Sequence, residues 1–280
     1  MGVVSLGENE NLKEIKDMGS YKLESMGTKD NLEEGVIKIP EGVVSIGESA
    51  FSGCNAKRVE IPDSVKYIDL YAFKNCKNLE SVKIGKGLEC VSNCMFAGCD
   101  NLKNVEISEG IKSIDANAFW GCDKLEDVKL PESLEKIGTA AFGSCKSLKG
   151  VNIPDNVWII NDGAFSHCKN LESINLGKGI QYIGREAFEF CESLQSINIP
   201  DSVRTIDVGA FDKCTNLSEI DISESLLSKI GAGHVFRDTN LDMDKIYETI
   251  DNYRENQAQE IDGTNDIEND ATENEDHDNL

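Results

Sequence analysis

The sequence is poor in basic residues, histidine and proline, and it has no long apolar run. Lys and Arg number 28 against 51 Asp and Glu, giving a formal net charge of −23 over 280 residues. Nucleic acids are bound by Lys and Arg that displace counterions from phosphates, and anionic membranes attract basic segments, so neither partner is expected. No stretch of 18 apolar residues occurs, so no spanning helix and no membrane insertion is expected. The opening Met1-Gly2-Val3-Val4-Ser5-Leu6-Gly7-Glu8 turns acidic early and lacks both the basic start and the apolar core of a secretory signal. It also lacks the Ser or Thr of a myristoylation signal. On these grounds the cell interior is expected.

Catalytic motifs are missing as well. The three histidines, His167, His234 and His277, are not at metal-ligand spacing from one another. There is no H-E-x-x-H, G-x-S-x-G, P-loop or C-x-x-C. No catalytic residue, no metal and no cofactor is expected, and the chain reads as non-enzymatic. His167 precedes Cys168, but that cysteine falls in a column that reads as buried, and a buried thiol is inert.

What the sequence does contain is a period. Phe51, Phe73, Phe96, Phe119, Phe142, Phe165, Phe188 and Phe211 form a ladder whose first step is 22 residues and whose next six steps are 23. Three residues after each Phe stands a cysteine: Cys54, Cys76, Cys99, Cys122, Cys145, Cys168, Cys191 and Cys214. A fixed period of this size signals a stacked repeat array, in which each unit contacts only its neighbours. Eight of the ten cysteines lie in this one column. They read as small buried hydrophobes and not as a secreted disulfide framework.

Between successive rungs a second pattern recurs. Leu79, Val82, Ile84 and Leu88 give L-x-x-L-x-L-x-x-x-L, repeated by Leu102, Val105, Ile107 and Ile111 and by five later copies. This is the leucine-rich repeat spacing, with a short strand centred on each Val-x-Ile pair; β-branched residues suit such a half-buried pleated surface. Strands in register lie about 4.8 Å apart, so eight copies span roughly 38 Å. The five prolines, Pro40, Pro62, Pro131, Pro154 and Pro200, share the column just after the strand, where Gly85, Ser108, Gly177 and Ser223 stand in other copies. Proline cannot donate to a strand ladder and therefore ends it there.

Two columns point outward from these strands. The column between the strand apolars reads Glu60, Lys83, Glu106, Lys129, Asn152, Asn175, Asn198 and Asp221. The column before it reads Arg58, Ser81, Asn104, Asp127, Gly150, Ser173, Ser196 and Glu219. Repeat arrays of this shape usually bind on the concave strand face. The candidate face is Lys83, Asn104, Glu106, Lys129, Asn152, Ser173, Asn175, Ser196, Asn198 and Asp221. Its first half alternates in charge, so opposite-sign pairs can satisfy each other. Its second half is an uncharged Asn strip suited to a peptide backbone and, less well, to a glycan; stacked amides bonding only one another are the alternative. No aromatic lies in these columns. Trp120 and Trp158 lie outside them, as partner anchors or as locally packed rings.

Cys90 and Cys94 are off the ladder and occupy one copy only. Ordinary surface thiols, a local disulfide and a metal or redox site are the three readings open for them.

The cassette I-P-D-S-V-x-x-I-x-x-x-A-F-x-x-C-x-x-L-x-x-V-x-I-P, from Ile61 to Val82 and onward, resembles the BspA-type leucine-rich repeat. The resemblance covers about residues 36–236. It implies adhesion or protein binding, and a cell-surface or secreted location in place of the interior. The expected fold is an α/β-type solenoid: parallel strands on the concave face, short helices or turns on the convex side, and capped ends. Residues 1–35 read as an N-terminal cap with decayed strands at Leu12-Lys13-Glu14-Ile15 and Tyr21-Lys22-Leu23. Residues 36–236 are the array of about nine repeats, 237–254 a capping helix, and 255–280 a disordered acidic tail. The expected function is a protein-binding interaction module, with a structural spacer array in a larger assembly as the alternative.

Overall fold

Val-x-Ile segments closed by proline or glycine build short strands that stop on cue, and the structure stacks them in two parallel ladders. It is a computed structural model and describes Val4–Ser5, Glu14–Ile15 and residues 35–272. The first ladder runs Val4–Ser5, Val36–Lys38, Arg58–Ile61, Ser81–Ile84 and Asn104–Ile107. It passes through the bridges Glu106↔Lys129 and Asp127↔Gly150 to Gly150–Asn152 and Ser173–Asn175, with Ser196–Asn198 paired to Glu219–Asp221 beyond. Register is kept from coil to coil: Val59 lies opposite Val82, Val82 opposite Val105, and Asn152 opposite Asn175. The product is a parallel-strand β-solenoid of about eight turns.

A second ladder of two-residue strands was not visible in the sequence. It runs Cys90–Val91, Ser113–Ile114, Lys136–Ile137, Ile159–Ile160, Tyr182–Ile183 and Thr205–Ile206, and Glu14–Ile15, Ser45–Ile46 and Tyr67–Ile68 form a shorter equivalent. From Ser45–Ile46 onward each strand buries one Ile or Val and is too short to show alternation.

The Phe segments are turns. Among the described residues helices are few and lie at the C-terminal end: Glu224–Leu227, Ala232–Val235 and Met243–Thr272. The reason is local. Two residues per coil take positive φ, one two places before the Phe (Tyr71 62°, Asn117 56°, Glu186 55°) and one two places after it (Asn75 58°, His167 61°, Phe190 59°). A helix cannot continue through a left-handed residue. Coil-to-coil backbone bonds replace helical ones, as in Phe119 N donating to Ala141 O at 2.8 Å and Phe142 N to Ala164 O at 2.8 Å.

Inside, Phe73, Phe96, Phe119, Phe142, Phe165, Phe188 and Phe211 are fully buried, in a stack that begins at Phe51 and extends one rung further to Phe236. Adjacent rings lie 5.1 Å apart at Phe51–Phe73 and 5.6 Å at Phe211–Phe236, near parallel throughout, within the range of favourable offset stacking. Asp212 is the one buried charged residue among those described. It accepts the Arg237 amide at 3.1 Å and pairs with the Arg237 guanidinium at the end of the stack.

At the ends, Val4–Ser5 pairs with Ile37-Lys38, and Glu14–Ile15 pairs with Ser45–Ile46. The expected strand at Tyr21-Lys22-Leu23 lies outside the described residues, as do residues 273–280 of the acidic tail. The helix starting at Met243 buries Ile246 and Ile250 and continues to Thr272, past the boundary at Glu255 drawn from the sequence. No proline interrupts it.

Candidate functional site

Alternation along each strand decides what faces out. In Asn104–Ile107 the pattern is exposed, buried, exposed, buried, and in Ser173–Asn175 it is exposed, buried, exposed. Lys83, Asn104, Glu106, Lys129, Asn152, Ser173, Asn175, Ser196, Asn198 and Asp221 are all exposed on the outer side of the first ladder. Register sets them in rows: Lys83 opposite Glu106, Asn152 opposite Asn175, and Asn198 opposite Asp221.

Two shallow troughs lie on this face. One, of about 390 Å³, runs over Arg58, Glu60, Lys83, Asn104, Glu106, Asp127 and Lys129. Its cations and anions are balanced, and Lys83 and Glu106 approach to 3.4 Å, an exposed pair that adds little stability. The other, of about 430 Å³, lies over Glu126, Lys149, Asn152, Ser173 and Asn175. Glu126 and Lys149 pair at 2.9 Å on its edge; their hydrogen bond lowers the Glu126 carboxyl pKa and raises that of Lys149. Ser196, Asn198 and Asp221 continue the row beyond this trough. Among the described residues, no side-chain hydrogen bond joins Asn152, Asn175 and Asn198 to one another. Their amides project donors and acceptors to solvent and do not form a closed amide ladder.

A third trough, of about 270 Å³, lies on the turn edge between Trp120, Gly143, His167 and Arg185. Trp120 is 47% exposed and sits over Gly143, where an added Cβ would lie 3.0 Å from its Cδ1. His167 stacks on Phe190 at 4.5 Å, with Lys213 Nζ over the Phe190 ring at 4.1 Å. Apart from Trp120, which the sequence offered as a partner anchor or a packed ring, this edge was missed because the residues brought together there share no residue type.

The cysteine column has a polar role that the sequence did not reveal. The Cys168 thiol donates to Phe142 O at 3.1 Å, in the preceding coil. Burial pushes its pKa up to about 12, so it supplies no thiolate to the neighbouring His167. Cys90 and Cys94 are half-buried free thiols. Burial raises both pKa values, and the Asp115 charge raises that of Cys90 further. Among the described residues, no cluster of His, Cys, Asp and Glu is placed to hold a metal, and no helix is long and apolar enough to cross a membrane.

The sequence matches the profile of the BspA type leucine rich repeat region in six copies, over residues 27–149 and 137–259. No curated protein matches it significantly. Among solved structures, the T. pallidum leucine rich repeat protein TpLRR is 30% identical, with 74% of this chain and 88% of that one covered and a TM-score of 0.54. A leucine-rich repeat protein from Bacteroides ovatus is 27% identical, with a TM-score of 0.46; the match covers 75% of this chain and 64% of that one. The pneumococcal vaccine antigen PcpA is 20% identical over 82% of this chain and 70% of its own, with a TM-score of 0.49.

Proposed function

The chain belongs to the BspA-type leucine-rich repeat family, and from that premise we propose that it is a non-enzymatic module holding a protein or peptide along the outer face of its first strand ladder. In this reading residues 36–236 are the binding array, 1–35 and 237–254 its caps, and 255–280 an acidic extension. The observation that carries it is the exposed row Asn152, Asn175 and Asn198, in which Asn152 pairs in register with Asn175 and Asn198 with Asp221, and whose amides are not tied up in bonds to one another. Each amide offers a donor and an acceptor, as a peptide backbone does, and uncharged groups cost less to desolvate than charged ones. The flanking Lys83–Glu106 and Lys149–Glu126 pairs add a charge pattern that sets partner register more than affinity.

A displayed peptide library selected on the purified protein tests this. Selected peptides should bind the wild type and lose at least tenfold in affinity against the triple variant Asn152→Asp, Asn175→Asp, Asn198→Asp, while its circular dichroism stays unchanged. Peptides that bind the triple variant equally well would place the binding surface elsewhere. A selection that yields nothing specific would favour a spacer array.

A further inference from the structure

Seven thiols of the cysteine ladder follow one rule. Each donates to the carbonyl of the Phe one coil back: Cys76 to Phe51 and Cys214 to Phe188 at 3.1 Å, and Cys122 to Phe96 at 3.4 Å, with the others between. Cys54 departs from it. Phe51 is the first phenylalanine of the chain, and among the described residues no carbonyl of a preceding coil accepts from Cys54. Its sulfur turns instead to the next rung and stands 2.6 Å from the Cys76 sulfur. Cys54 is also the one ladder cysteine with access to solvent, 8% exposed where the other seven are at 0%.

We propose that Cys54 and Cys76 are a disulfide-forming pair, a covalent staple between the first two rungs of the array. The backbone already permits it, since coils stack about 4.8 Å apart and a disulfide spans Cα separations of roughly 4.4–6.8 Å. The later rungs share that spacing, but in each later pair both thiols donate to carbonyls, whereas in the first pair only Cys76 does and the Cys54 sulfur faces its partner. Cys54 is the half of the pair that reaches solvent, and the hydrogen bond between the two sulfurs lowers the Cys54 pKa and raises that of Cys76. Cys54 is thus the attacking thiol.

The oxidant is a low-molecular-weight disulfide. The Cys54 thiolate attacks one of its sulfurs, and one small thiol leaves after taking up a proton. Cys76, deprotonated in turn, attacks the Cys54 sulfur of the mixed disulfide and expels the second small thiol. Two protein S–H bonds become one S–S bond, and the two electrons and two protons end on the two small thiols. The staple closes in an oxidising compartment and stays open where glutathione is kept reduced.

The test uses the full chain, reduced and then exposed to oxidised glutathione. Remaining thiols are alkylated under denaturing conditions and the linked peptides identified by mass spectrometry. The expected product is lighter by two hydrogens before alkylation, carries one Cys54–Cys76 linkage, and melts at a higher temperature than the reduced form. Cys54→Ser should abolish both the linkage and the shift, with Cys76→Ala as the second variant in case the first fails to fold. Ten alkylated cysteines after oxidation, a glutathione left stably on Cys54, or a bridge formed elsewhere, such as Cys90–Cys94, would each overturn the assignment.

Discussion

The Cys145 thiol donates to the Phe119 carbonyl at 3.3 Å, and that same oxygen accepts the Cys122 amide at 3.2 Å. The two donors come from adjacent coils and together satisfy a buried carbonyl. Cysteine in this column is therefore a small residue that also carries a proton for the neighbouring coil. Cys145→Ala removes that bond and leaves a small void, at an expected cost of about 1–2 kcal/mol. Urea denaturation would measure it. A midpoint equal to wild type would show that neither the thiol's hydrogen bond nor its volume stabilises this rung.

Phe142 sits in the middle of the ring stack, 5.3 Å from both Phe119 and Phe165. Phe142→Ala should cost about 3–5 kcal/mol. Because contacts in a solenoid run only to neighbours, the damage should stay local and split unfolding into two phases, one for each side. Monophasic unfolding at the wild-type midpoint would refute a stack that is continuous through this rung.

The period and the first set of strands were legible because the same apolar types recur at the same positions eight times over. The second ladder was not, since Tyr67–Ile68 and its counterparts are two-residue strands with a single buried side chain. The left-handed positions were hidden too: Tyr71, Cys94, Asn117, Ala140 and Glu186 share one conformation but no chemistry. Alternation made the exposure of Asn152 and Asn175 readable. What those amides hold depends on a partner that the sequence does not contain, and the Trp120 edge follows no column of like residues.

Glycine and proline after the strand looked interchangeable in the sequence, yet they nest one over the other. Asp155 Oδ1 accepts the Lys178 amide at 2.8 Å, drawing Gly177-Lys178-Gly179 down onto Pro154-Asp155. A Cβ on Gly179 would lie 2.0 Å from Asp155 O, a backbone atom that cannot swing away. Gly179→Ala should therefore destabilise by about 1–3 kcal/mol through overpacking. Thermal melting checks this, and an unchanged or raised midpoint would show that the two turns are further apart.

Asp212, next to Phe211 in the chain, is a 2% exposed carboxylate, with Arg237 supplying both an amide and a guanidinium. Asp212→Ala removes both bonds and should loosen the last rung by about 1–3 kcal/mol. Hydrogen exchange would locate the loss: amides of 209–239 should exchange faster while those of 96–142 stay protected. Uniform acceleration along the chain would mean that the cap governs the whole array.

The buried thiols predict a weakness to alkali. Burial raises the pKa of Cys122, Cys145 and Cys191 and pushes Cys168 up to about 12, while an unfolded thiol ionises near about 8.5. The fold favours the neutral form, so this stabilisation is complete below the unfolded pKa and is lost as pH rises from there toward the folded one. Each thiol that ionises only on unfolding lowers stability by roughly 1.4 kcal/mol per pH unit in that window. Urea midpoints measured from pH 7 to about pH 11 should be level at first and then fall steeply. Lysines and tyrosines also titrate at the upper end, so the decisive comparison is with Cys168→Ala, whose fall should be shallower by one thiol's share. Parallel slopes in the two proteins would mean that the Cys168 thiol is not shielded by the coils around it.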